Sequence, residues 1–133
     1  MGRQSTIAAG VVLLLGALTG CATGQEDEAS ATAAQFYRAL QDGDGAAACA
    51  VLAPRTKSEL VKTAKKSCAQ AILDDDIPAV TQPPGVEAFG TMAKLAYGSE
   101  TAFLARFEGG WKVMAAACQD QPGRPYDCRL SGG

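Results

Sequence analysis

The chain has 133 residues, 12 Lys+Arg against 14 Asp+Glu and a formal net charge of -2. That length fits one domain, and the near-balanced charge lacks the strongly basic surface of a nucleic-acid binder. Histidine is absent, which removes the commonest general base and imidazole metal ligand, while five cysteines are many for a reducing cytosol.

Residues 1–6 are polar with one cation, Arg3, and residues 7–18 are uncharged and mostly apolar. That is the layout of a secretory signal. A membrane-spanning helix needs about 20 apolar residues, and this stretch approaches that length only if extended through Gly24; an uncleaved anchor is the alternative. Leu18-Thr19-Gly20-Cys21 resembles the bacterial lipobox, in which a diacylglycerol is attached to the cysteine sulfur and the signal is cut just before it. The resemblance implies a signal peptide over residues 1–20 and a lipidated Cys21, which places the protein at the extracytoplasmic face of the cell membrane. An ordinary signal peptide with an incidental Cys21 is the bland reading. The pattern Met1-Gly2…Thr6 also matches N-myristoylation, but an export segment follows directly. A single acyl chain also holds a protein only marginally, whereas two hold firmly.

With Cys21 lipidated, Cys49, Cys68, Cys118 and Cys128 remain. Four cysteines allow three connectivities. The first two lie in neighbouring helical stretches, and the last two flank a turn containing Pro122, Gly123 and Pro125. The expected pairs are therefore Cys49–Cys68 and Cys118–Cys128, each closed loop contributing about 2–4 kcal/mol. With no C-x-x-C pair and no histidine, no metal site and no cofactor is expected.

Residues 21–30, small and acidic, read as a flexible tether, leaving residues 31–133 as a single domain. Ala33, Phe36, Tyr37 and Leu40 form the stripe of a helix over residues 31–40. Gly43 ends it and Asp44 caps the next. "QDGDG" resembles the start of a calcium loop, but the alanines after it supply no further oxygen ligands. A short helix over residues 45–52 follows, and Pro54 opens another. In that helix Leu60, Val61, Ala64, Cys68 and Ile72 share one face. Lys62, Lys65 and Lys66 share another, a solvated face or a contact for anionic lipid. Asp74, Asp75 and Asp76 end the helical region; three carboxylates can hold a metal or simply sit in water. Residues 77–85, with three prolines, form a crossing loop.

Residues 89–97, 101–107 and 111–118 read as strands. A three-residue loop at 108–110 places Phe103, Phe107, Trp111 and Val113 on one face and sets Arg106 opposite Lys112. Burying large apolar side chains, about 1.5–3 kcal/mol each, outweighs a like-charge pair in water.

Helices followed by an antiparallel meander make an α+β order, here helices packed on a curved sheet of three to four strands. "AAQFYRALQDGDGAAACAVLAP" resembles the opening of nuclear-transport-factor-2-like (cystatin-like cone) proteins, and "FLARFEGGWKVMAAACQDQPGRPYDC" is similar to the close of short actinobacterial lipoproteins of that class. The resemblance implies a reduced cone with a conical pocket. Enzymes of the superfamily place an acid and a tyrosine there, and Tyr37, Tyr97 and Glu87 are possible residents, although no motif ties them to catalysis. The expected function is a membrane-anchored, non-enzymatic module binding a small apolar ligand or an envelope protein, with no nucleic-acid partner. A cone-pocket enzyme, of isomerase or dehydratase type, and a structural lipoprotein without a pocket are the alternatives.

Overall fold

The computed structural model describes residues 21–133. The expected signal peptide, residues 1–20, lies outside the described residues, as does the side chain of Cys21. Helix α1 spans Cys21–Gln41, so the stretch expected as a tether is its first half. Alanine, glutamine and glutamate, half of that stretch, are good helix formers. Ala29 lies one turn ahead of Ala33, and both are buried with Phe36 and Tyr37. The acidic run is the wet side of this helix, where Glu28 stands 3.9 Å from Arg106.

Gly43 (φ 70°) ends α1 in the left-handed conformation, and the Asp44 amide donates to the Ala39 carbonyl at 2.8 Å. The Asp44 carboxylate accepts from the Ala47 amide at 2.9 Å, capping α2, Gly45–Ala50. Pro54 opens α3, Pro54–Ala64. The single helix expected through Ile72 breaks at Lys65 (φ 54°) and restarts as α4, Cys68–Asp74, capped by Ser67. The break has a packing cause. A straight helix advancing about 1.5 Å per residue would carry Cys68 away from α2, whereas the Cys49–Cys68 bridge, with a Cα–Cα distance of 6.1 Å, folds α4 back on it. Val61, expected on the buried face, is 37% exposed.

The sheet has five strands rather than three or four: β1 Gly85–Phe89, β2 Met92–Tyr97, β3 Glu100–Phe107, β4 Gly110–Gln121 and β5 Arg124–Ser131. They follow in the order β1-β2-β3-β4-β5, each pair antiparallel. The strand expected over residues 89–97 is β2, shortened at its start, and the turn at Gly90 (φ 62°) joins it to β1, a strand that was not expected. The tail turn extends into two long strands, with Cys118 directly opposite Cys128 and bonded to it.

The β3–β4 register differs from expectation. Phe107 pairs with Gly110 and Arg106 with Trp111, which leaves a two-residue loop, Glu108-Gly109. Leu104 pairs with Val113 and with Ala93, so these residues and Trp111 face the helices. Strand alternation then sends Phe103 and Phe107 to the opposite face. Large side chains from both sets cannot share one face of β3, and the helix side takes Leu104.

The helical and sheet halves meet along β4. The Ala53 amide donates to the Val113 carbonyl, and the Val113 amide to the Val51 carbonyl, each at 2.8 Å. Among the described residues no helix is long and apolar enough to cross a membrane.

At the α2–α4 contact, a Cβ added to Gly45 would collide with the Ala69 main chain. Backbone cannot swing aside as a side chain does, so Gly45→Ala should cost about 1–3 kcal/mol. Urea unfolding with an unchanged slope and a lowered midpoint is the expected result; an unchanged midpoint refutes it.

Candidate functional site

The side of the sheet that the cone resemblance would hollow out is filled. Phe36, Leu95, Leu104 and Val113 are fully buried between helices and sheet. At the margin of this core, Tyr37 of α1 and Tyr97 of β2 meet edge to face with ring centroids 5.2 Å apart. A cavity of about 260 Å³ opens beside them, lined also by Arg38, Val80, Gln82 and Pro83. The Pro-rich crossing segment is its outer wall.

Tyr97 pairs directly with Glu100 across the β2–β3 turn, so both point to the helix side. The Tyr37 hydroxyl and Glu100 Oε2 are buried without a hydrogen-bond partner among the described residues. The acid whose charge bears on Tyr37 is Glu100, not Glu87, which the sequence offered as a resident of the pocket. The two-residue turn at Gly98-Ser99 was the available signal, because it sets residue 100 opposite residue 97. Glu87 lies on the other face of the sheet, 2.9 Å from Lys94, and this hydrogen bond holds the lysine above its ordinary value. Burial, reinforced by Tyr97 and Glu100, pushes the Tyr37 phenol well up. Burial alone pushes Tyr97 up to about 12.

A larger opening lies on the outer face. It has a volume of about 480 Å³, a floor of Met92, Phe103, Phe107 and Met114, and a wall formed by Arg55 and Thr56 of α3. Thr56 is 1% exposed, and its hydroxyl donates to the Met114 carbonyl at 2.8 Å. Gly132 closes against it so tightly that a Cβ there would sit 3.1 Å from Thr56 Oγ1. Phe107 is 41% exposed. This groove exists because the β3–β4 register sends Phe103 and Phe107 outward, so the opposite register choice conceals it in the sequence.

The other candidates separate. The four body cysteines form two bridges, Cys49–Cys68 and Cys118–Cys128. The three aspartates diverge: Asp74 meets Lys66 at 2.6 Å, Asp76 meets Arg129 at 3.6 Å, and Asp75 is pushed up by burial against the opposing pull of Arg129. Among the described residues no group of three or more Cys, Asp or Glu is placed to hold a metal ion. Lys62 leans toward Glu59 at 3.8 Å, so two of the three helix lysines have acidic neighbours.

Comparison of the chain with protein-family models, with curated proteins and with solved structures finds no match.

The tyrosine pair sets a pH window. A phenol whose folded pKa is raised contributes stability in full below its unfolded value, and that contribution is lost as pH rises through the folded value. For Tyr97 the loss runs from 10.0 to about 12. Urea midpoints should fall across that interval, and less steeply in Tyr97→Phe. Phenolate absorbance showing Tyr97 ionised in the folded protein near 10.0 would contradict the assignment.

Proposed function

We propose that the chain is a lipid-anchored lipoprotein of the extracytoplasmic face of the cell membrane, whose body is a non-enzymatic module binding a small apolar ligand. The carrying observation is the outer-face groove, where Phe103, Phe107, Met92 and Met114 offer an apolar floor beside the wall formed by α3. Concave, mostly apolar openings of this size are the usual form of small-molecule sites. The anchor reading rests on the lipobox at Cys21, and two disulfides in the body agree with an oxidising compartment. We read the helices followed by an open meander as a reduced nuclear-transport-factor-2-like cone, with binding moved to the outer face because the inner one is packed. An envelope protein seated on the same groove is the variant of this reading.

An isomerase- or dehydratase-type enzyme is the second reading. It is favoured by one observation, the buried Tyr37 hydroxyl and Glu100 Oε2, neither with a hydrogen-bond partner among the described residues.

Two measurements test the first reading. Cys21→Ser should move the protein from the membrane fraction to the soluble fraction; retention in the membrane places the anchor elsewhere. The groove should take up an apolar dye such as Nile red with a rise in fluorescence, and Phe107→Glu should abolish it while the circular-dichroism spectrum stays unchanged. Equal dye uptake by parent and variant removes the groove as the site.

A further inference from the structure

Resting on the groove reading above, we propose that its ligand is a fatty acid, one alkyl chain lying over Met92, Phe103, Phe107 and Met114 with its carboxylate at Arg55. The groove's charge is one-sided. Among the described residues Arg55 is the only charged side chain lining it and no acidic side chain does, although the chain as a whole is net negative at -2. Arg55 also makes no ion pair among the described residues. A guanidinium offers a planar fork that matches a carboxylate through two parallel hydrogen bonds. A wholly neutral ligand would leave that group unused.

The floor points to an alkyl chain rather than a rigid ring system. Met92 and Met114 are unbranched and adapt to irregular apolar shapes, and Phe107, 41% exposed, leaves the groove open along its rim. The wall holds its position: Thr56 is bonded to the Met114 carbonyl, and Gly132 is pressed against Thr56. Arg55 therefore projects from a fixed turn of α3. The volume of about 480 Å³ lies in the lower half of the range for small-molecule sites, about 300–1,000 Å³, which suits one chain better than the two of a phospholipid.

The test uses the full chain freed of lipid by Cys21→Ser, titrated calorimetrically with sodium laurate and separately with 1-dodecanol, each below its aggregation threshold. Laurate should bind more tightly than dodecanol. Arg55→Gln should weaken laurate about fivefold, the scale of a solvent-exposed ion pair, and leave dodecanol unchanged. Equal affinities, with Arg55→Gln neutral for both, overturn the fatty-acid assignment and leave an apolar groove standing. Failure of both probes to bind the folded protein overturns the groove reading itself. A dimer that Phe107→Glu converts to monomer, with no laurate bound by either form, assigns the face to a second copy of the chain and overturns the proposal.

Discussion

The structure turns on one joint, the pair of backbone hydrogen bonds by which Val113 grips Val51 and Ala53. Strand β4 carries β3 along one edge. Its other edge is shared: β5 occupies it as far as Ser131, opposite Ala115, and residues 51–53 take over at Val113. Without that substitution the first half of β4 would leave unpaired main-chain groups beside a buried core, a cost of about 1–3 kcal/mol for each orphan. The joint also fixes where α3 starts, because Pro54 follows immediately and Thr56 reaches the next carbonyl along, that of Met114. The wall of the outer groove is thus a consequence of strand pairing.

The core has few large side chains, and this shapes the rest. Alanines fill much of the contact between α1 and the sheet, with Phe36, Leu95, Leu104 and Val113 as the bulky members. Small residues let backbones approach closely, as at Gly45 and Ala69, but each buries little apolar area. The two disulfides compensate by restricting the unfolded chain, one tying α2 to α4 and one tying β4 to β5. Aromatic rings left out of such a thin core must go elsewhere. Phe103 meets Tyr126 edge to face, with ring centroids 5.0 Å apart, on the outer face, and Phe107 lies partly in water.

Local signals were readable in the sequence, and they concern residues whose neighbours are near in the chain. Gly43 and Asp44 stop one helix and start the next as their chemistry dictates. The two cysteine pairs follow from adjacent elements, and the α+β order follows from the sequence of patterns. What could not be read depends on partners distant in sequence. Residues 21–30 resemble a tether by composition, and only the burial of Ala29 shows why they stay helical. The break at Lys65 depends on where α2 sits. The register of β3 on β4 was decided by Ala93 and Leu95, which fix Leu104 and Ala102 on the helix side, rather than by the loop. The candidate site inherits the same division. Tyr37 and Tyr97 could be named from the sequence, Glu100 was one turn away, and the outer groove required the correct register.

The two openings differ in what they can do, and the difference follows from the neighbours of their polar groups. Beside Tyr37 and Tyr97 the polar atoms are buried and the phenols are held neutral, so that corner can offer a hydrogen bond but no charge of its own at the phenols. On the outer face the polar group is a guanidinium at the edge of an apolar floor, so that face separates charge from oil along one direction. An amphiphile has the same separation. Helix α1, helical from Cys21 onward among the described residues, adds a geometric constraint to the proposed anchor. Helix α1 continues from Cys21 into the core, so a lipid on that sulfur would hold the body through a continuous helix, with no coil between. The reach of the body from the membrane would then be set by the tilt of α1, not by the length of a loose chain.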